Sequence, residues 1–192
     1  MVEAAIELVA KQGWDAVTTR QIADSAGVNQ ALIHYHFGSK ERLLHAAFDR
    51  AVRGMFMEPV TAMIQAPTLA EGAAGLVRAL RELDESVPEV LFGFEALSRS
   101  ARDETIRTAL AELLTELRGI VAERIEEGQR TGSVRRDLDP VGTATALGAL
   151  FDGLGFHFLV DRRIDVERTA AAVQALLTPP SADPSTREEA GH

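Results

Sequence analysis

Hydrophobic residues recur with the period of an α-helix along almost the whole chain. In the first segment, Val2, Ile6 and Val9 fall on one stripe, and Gly13 ends the pattern. No segment convincingly shows the alternation of apolar and polar residues that marks a half-buried strand. We therefore expect an all-α protein with about nine helices in total.

Helix start and stop signals divide this pattern into short and long segments. Thr18 and Gln21 have the spacing of a capping box, and a short helix from them should end at Ala26. After a turn at Gly27-Val28, a second short helix should cover 29–37. These signals predict two helices of about eight residues joined by a tight turn.

Longer helices should follow. One should begin after Ser39 and end near Met57, because Pro59 would interrupt its hydrogen bonding. The next should end near Ser86, the one after it near Ala101, and a long one near Arg130. Further helices should start at these signals: Thr68, Pro88, Asp103, Asp139-Pro140 and Asp165. The stretch after Thr178 is rich in proline and charge and should be disordered.

Composition limits the possible function classes. The chain has no cysteine, which excludes disulfides, thiolate zinc sites and cysteine nucleophiles, and fits a cytoplasmic protein. No secretion signal is evident at the N-terminus. The most apolar stretch, 141–160, contains Asp152, His157 and several glycines, so we expect no membrane span.

The net charge of −9 is unevenly distributed along the chain. Residues 1–53 carry six basic and six acidic residues, so all the net negative charge lies after Arg53. A neutral head on an acidic body directs the head toward a polyanion such as nucleic acid, with a weaker field than a basic domain would give.

The segment from Thr18 to Lys40 is suited to DNA recognition. Two short helices that cross steeply need small residues at their contact, and Ala23, Ala26 and Gly27 supply them. The second helix should then expose a polar face that fits base edges in a major groove. An apolar seal against the first helix is expected from Ile22, Val28, Leu32 and Phe37.

The sequence from Gly27 to Leu44, GVNQALIHYHFGSKERLL, closely resembles the recognition segment of the TetR family of regulators. The preceding Thr18-Thr19-Arg20-Gln21-Ile22-Ala23 is similar to the same family, and the likeness covers about residues 2–50. The resemblance implies an N-terminal three-helix helix-turn-helix domain, 1–46, and a larger helical ligand-binding and dimerisation bundle, 47–178, followed by the disordered tail, 179–192. It implies DNA contacts by Thr19, Arg20, Asn29, Gln30, Ala31, His34, Tyr35 and Lys40.

Two departures from the family pattern make base preference and affinity harder to infer. Family members usually carry a tyrosine where His34 stands, and often another where His36 stands. The family also commonly has a basic arm ahead of the first helix, which this sequence lacks. Because His34 and His36 lie two apart on different helix faces, we expect no metal site, and we expect no cofactor.

The C-terminal part resembles, more loosely, the BetI-like members of the family. A helix that is apolar nearly all round needs cover on both sides, which predicts a homodimer, although both apolar stripes could instead be intramolecular core. The predicted dimer interface comprises Leu147, Gly148, Leu150, Phe151, Leu154, Gly155, Phe158, Val166, Ala170, Val173 and Leu177.

An effector pocket is expected in the helical bundle, with apolar walls and a few polar groups, for a small molecule that the sequence does not identify. Each residue could equally be ordinary core, and Glu95 could simply pair with Arg99. The predicted lining residues are Phe56, Met63, Phe92, Phe94, Glu95, Arg99, Leu117, Phe151 and His157.

The resemblance therefore predicts a DNA-binding transcriptional regulator, most simply a repressor that binds a palindromic operator as a dimer and is released by its effector. Two other classes remain open. An enzyme on a helical bundle finds no support in the spacing of nucleophiles, bases and acids, such as Asp152 and His157. A ligand-binding protein with weakened DNA binding is the stronger alternative, because the basic arm is missing.

Overall fold

The computed structural model describes residues 1–82 and 88–180, and within them the protein is all-α, as expected. No strand occurs among these residues. The helices are α1 (Val2–Gln12), α2 (Thr19–Ala26), α3 (Gln30–Phe37), α4 (Lys40–Gln65), α5 (Leu69–Arg81), α6 (Pro88–Ser100), α7 (Glu104–Thr131), α8 (Pro140–Val160) and α9 (Val166–Leu177).

The start signals in the sequence cap the helices as predicted. Thr18 accepts a hydrogen bond from the Gln21 N–H at 3.2 Å, and the Gln21 side chain accepts one from the Thr18 N–H at 2.9 Å. These reciprocal bonds satisfy N–H groups that the first turn of a helix leaves free. The same local chemistry begins later helices at Ser39, Thr68, Asp103, Asp139 and Asp165.

Helix α4 is longer than predicted, because Pro59 lies inside it and does not end it near Met57. Proline costs one backbone hydrogen bond there, but packing against α5, α6 and α7 compensates for the loss. Since α4 begins at Lys40, it also crosses the predicted domain boundary between residues 46 and 47.

The following helix, α5, ends at Arg81 rather than near Ser86, and residues 83–87 lie outside the described residues. Most of the expected disordered tail, at 181–192, also lies outside them.

Two hydrophobic clusters hold the helices together. The first joins α1, α2, α3 and the first half of α4 to α6 and the beginning of α7. The second joins the end of α4 to α5, the second half of α7, α8 and α9. The three N-terminal helices therefore share a core with α6 and α7, and α4 belongs to both clusters.

Helix α8 is long and apolar enough to cross a membrane by length and composition, with a mean hydropathy of 1.3 over an 18-residue window. Core helices of water-soluble proteins meet the same criterion, and in this fold one side of α8 packs on α5 and α7. This helix alone is weak support for a membrane span.

The crossing of α4 and α5 depends on a glycine. A Cβ placed on Gly72 would collide with the backbone carbonyl of Met63 in α4, which cannot move aside as a flexible side chain would. In the same helix, a Cβ on Gly75 would meet no atom within 4 Å.

We predict that Gly72→Ala lowers the free energy of unfolding by about 1–3 kcal/mol, because it forces the two backbones apart. Gly75→Ala is the matched control and should raise stability by up to about 1 kcal/mol through helix propensity. Urea unfolding followed by circular dichroism measures both. Equal stabilities of the two variants would show that the crossing tolerates a side chain.

Candidate nucleic-acid interface

A left-handed glycine sets the angle between α2 and α3. Gly27 has φ 66° and ψ 29°, and the N–H of Val28 donates to the carbonyl of Ala23 at 3.0 Å. Residues with a side chain rarely adopt this conformation, so glycine suits the turn that the sequence predicted there.

The apolar seal under α3 differs from the expected one at a single position. Ile22 is fully buried as predicted, and Val28 and Phe37 are half-buried. Leu32, however, is 41% exposed, and the neighbouring Ile33 is fully buried in its place. The sequence therefore predicted the wrong buried residue at this position, because Ile33 and not Leu32 faces the core.

The outer face of α3 is open to solvent. Gln30, Ala31, His34 and Tyr35 are exposed, and Tyr35 is the most open of the large hydrophobic side chains at 82%. The edge of the Tyr35 ring packs on His36, with centroids 5.0 Å apart. Four of the eight predicted contact residues therefore share one accessible surface.

Asn29 connects this surface to the start of α3. Its Oδ1 accepts a hydrogen bond from the N–H of Ala31 at 2.8 Å and so caps the helix. The bond occupies the oxygen only, which leaves the two N–H groups of the side-chain amide as donors facing solvent.

The other predicted contacts flank α3. Arg20 is exposed at the start of α2, where its guanidinium lies 3.8 Å from Asp24, a loose surface pair that costs little to break. Thr19 beside it is half-buried. Lys40 is half-buried at the start of α4, and its Nζ donates to the carbonyl of Val17 at 3.0 Å. Lys40 therefore ties α4 to the loop before α2, a role that sequence reasoning missed.

A joint connects this N-terminal unit to α6. The ring of Trp14, in the loop after α1, lies 5.6 Å from that of Phe92 in α6, both buried. Beside them, Arg99 of α6 donates to Asp15 at 2.7 Å. We call these four residues the α1–α6 joint.

Arg99 also approaches Asp103, the cap of α7, at 3.5 Å. Burial alone would raise the pKa of Asp103. Hydrogen bonds from the N–H groups of Ile106 and Thr105 and from Arg99 outweigh burial and bring this pKa below its usual value. Arg99 thus pairs with Asp15 and Asp103 and not with Glu95.

The structure distributes the predicted pocket residues over the two hydrophobic clusters and the surface. Phe92 and Leu117 are buried in the first cluster, and Met63 and Phe151 in the second. Phe94 and His157 are exposed, while Phe56, Glu95 and Arg99 are half-buried. Helical spacing shows which residues face inward, but not which of two clusters they enter, so the effector pocket stays a prediction.

An open groove of about 530 Å³ lies elsewhere, between the end of α4 and α7. Arg124 crosses its floor and donates to the backbone carbonyls of Ile64 and Ala66 at 3.0 and 3.2 Å. None of the predicted pocket residues lines this groove.

Most of the predicted dimer-interface residues are also placed differently. They pack in the protein's own second cluster, which is the alternative that the sequence left open, and the interface stays a prediction. The residues concerned are Leu147, Phe151, Phe158, Ala170, Val173 and Leu177, and Gly155 is buried as well. Leu150, Leu154 and Val166 are half-buried, and only Gly148 is exposed.

The opposite faces of α8 and α9 are open instead. On α8 this face carries small residues together with the exposed Val141, Phe156 and Val160. On α9 it carries alanines and the 57% exposed Leu176. We call the two together the α8/α9 face; its residues are Val141, Thr145, Gly148, Ala149, Asp152, Phe156, Val160, Arg168, Ala171, Ala172, Ala175 and Leu176.

Comparison with known proteins identifies the relatives of this chain. Residues 1–47 match the family model for bacterial regulatory proteins of the tetR family, and residues 69–179 match the model for the C-terminal part of BetI-type transcriptional repressors. The transcriptional regulator BetI of Rhizobium meliloti is 36% identical over 141 residues, which are 67% of this chain and 70% of that protein.

Two further relatives are similar over most of their length. The transcriptional repressor KstR2 of Rhodococcus jostii is 29% identical, over 72% of this chain and 68% of the repressor. A transcriptional regulator from Saccharomonospora viridis, crystallised in complex with choline, has a TM-score of 0.74 and 28% identity, over 93% of this chain and 96% of its own.

These relatives regulate transcription and are not enzymes, which removes the enzyme alternative. With the helix-turn-helix at α2 and α3 and family matches over most of its length, the chain belongs to the TetR family of bacterial DNA-binding transcriptional regulators, with a BetI-type C-terminal part.

Proposed function

We propose that this regulator is a repressor that binds a palindromic operator as a homodimer and leaves it when a small-molecule effector binds the helical bundle. The observation that carries the proposal is the exposed outer face of α3, which the buried Ile33 and the turn at Gly27 present to solvent as a rigid unit. In this proposal the protein acts in the cytoplasm and needs no cofactor.

Helix α3 has dimensions and chemistry that fit a major groove. Eight residues span about 12 Å, which covers a few base pairs. The amides of Gln30 and of Asn29 offer donors and acceptors to base edges, and Ala31 leaves room for a thymine methyl group. In the proposal, His34 and Tyr35 reach the backbone or the next base.

Phosphates are contacted from the sides of this helix. Arg20 is exposed and only loosely paired, so it can turn toward a phosphate at little cost. Thr19 beside it offers a hydroxyl. Lys40 and the N-terminal end of α4 suit a second phosphate, and the bond from Lys40 to Val17 holds that helix start in place.

A palindrome requires two copies of α3 in fixed relation. The α8/α9 face is the surface that best fits a second copy, because it is largely apolar and rich in small residues that permit close approach. Since α8 and α9 both pack on α5, two subunits joined there could form a four-helix contact.

Release by an effector requires a connection from the bundle to α3. Helix α6 provides one through the α1–α6 joint, and α4 provides another because it belongs to both clusters. A ligand that prefers a different placement of α6 or α4 would change the separation of the two α3 helices and lower operator affinity. Choline is the first compound to test, because a relative binds it.

Fluorescence anisotropy with DNA from upstream of the protein's own gene tests the proposal. We expect nanomolar, salt-sensitive binding with two protein chains per operator, and weaker binding in the presence of the effector. If the protein sediments as a monomer and binds no duplex DNA at low salt, the result would instead support the ligand-binding alternative.

Two substitutions of Asn29 distinguish its role as a helix cap from its proposed contact with DNA. Asn29→Ala removes the cap and should cost about 1 kcal/mol of stability. Asn29→Asp keeps the capping oxygen but loses both donors and adds a negative charge toward DNA, so it should keep stability and lose operator affinity. Thermal unfolding and anisotropy, run on both variants, check this. Full operator affinity in Asn29→Asp would exclude Asn29 as a DNA contact.

We predict that substitutions of Lys40 and Gln30 change DNA binding in different ways. Lys40→Ala should weaken binding to all sequences alike and reduce its salt dependence, whereas Gln30→Ala should change the ranking of operator variants by about 1–3 kcal/mol. Lys11→Ala is the control, because its ammonium lies 3.6 Å from Glu7 in the same helix. If Lys40 and Gln30 variants shift every sequence equally, the assigned roles are wrong.

The joint can be weakened without disturbing the core. Asp15 is exposed, so Asp15→Asn should change stability by less than about 1 kcal/mol. It should nevertheless lower operator affinity severalfold, because the N-terminal unit is held less firmly against α6. Glu7→Gln removes the same charge from α1 away from the joint and is the reference. Identical operator affinity in the two variants would show that the joint does not position α3.

A further inference from the structure

Helix α8 carries one carboxylate in a nearly uncharged sequence. Asp152 and His157 are its only ionisable side chains, and Asp152 lies on the α8/α9 face, one turn from Gly148 and from Phe156. Within residues 1–82 and 88–180, no hydrogen bond or ion pair engages the Asp152 carboxylate.

The surroundings of Asp152 disfavour its charge. The residue is exposed, yet the apolar groups around it displace enough water to raise the pKa of its carboxyl above the usual value. Covering this face with another apolar surface would remove the remaining water. An ionised carboxylate in that position is costly unless a cation faces it.

The α9 part of this face carries a cation, Arg168. Arg168 lies opposite the buried side of that helix, in line with Ala172 and Ala175. Its neighbour Glu167 is already engaged, because Arg78 of α5 donates to it at 2.8 Å. The Arg168 guanidinium has no partner in the described part of the chain, and it does not pair with Asp152 of its own subunit.

We propose that Asp152 of one subunit pairs with Arg168 of a second copy of this chain, so that two equivalent ion pairs fix the register of the dimer. The inference rests on the proposed homodimer and adds the residues that select its alignment. Each side chain is the counter-charge that the other lacks, and a two-fold axis makes the contact twice.

Such an ion pair determines the alignment of the two subunits more than it strengthens their association. The small residues of the α8/α9 face, among them Gly148, Ala149 and Ala172, would permit several sliding positions at similar cost. Only a position that brings opposite charges together avoids burying two unpaired ions. The pair therefore excludes other alignments, and with them other spacings of the two α3 helices.

Charge exchange on the full-length protein tests the proposal. Asp152→Arg alone and Arg168→Asp alone each place like charges together, and we expect dimer dissociation constants at least about tenfold weaker. Mixing the two variants should give a heterodimer of near wild-type affinity, because both contacts then join opposite charges. Arg78→Ala is the control, since it removes a cation of α5 that pairs within the subunit.

Sedimentation equilibrium with one variant fluorescently labelled measures all of these species. Wild-type affinity in both single variants, or no recovery in the mixture, would overturn the pairing. A different result would contradict the proposed function, namely a wild-type protein that neither dimerises nor binds its upstream DNA.

Cysteine substitution tests the same contact without reversing a charge. The chain has no cysteine of its own. A mixture of Asp152→Cys and Arg168→Cys proteins, treated with a short bifunctional thiol reagent, should give a covalent dimer containing one of each. Cross-linked dimers of either variant with itself, in greater yield than the mixed one, would contradict the proposed register.

Discussion

The shared packing of α4 is the constraint on which the rest of the structure depends. Phe48 and Val52 of this helix lie in the cluster that supports the helix-turn-helix, and Met63 lies in the cluster of the C-terminal bundle. Because α4 stays helical through Pro59 and packs in both clusters, the packing of one cluster constrains the position of the other. The three N-terminal helices are therefore mechanically part of the whole molecule, and a change in the bundle can reach α3.

The surfaces that remain open follow from what this packing covers. Each helix buries one face in a cluster, and the faces left exposed include the outer side of α3 and the α8/α9 face. The first is polar and offers hydrogen-bonding groups, which suits base edges. The second is apolar with one unpaired acid and one unpaired base, which suits a copy of itself. Proposed recognition of DNA and of a second subunit thus uses opposite kinds of surface chemistry.

Local signals in the sequence predicted most of the fold because their causes are local. The Thr18–Gln21 capping box and the left-handed Gly27 involve neighbours in the chain, and both appear as expected. Leu32 and Pro59 show where such reasoning stops. In an eight-residue helix that carries apolar residues at both positions, periodicity does not decide whether Leu32 or Ile33 is the buried anchor. At Pro59, packing along α4 outweighs a local penalty.

The sequence by itself determined the helices, their caps and the family likeness of the recognition segment. Tertiary structure decided which side of α8 faces the core. Because α8 is apolar on both sides, periodicity contains no information about direction, and most of the stripe assigned to the dimer packs in the protein's own second cluster. Only the positions of α5 and α7 show that Phe151 and Phe158 point inward and that Asp152 and Phe156 stay exposed.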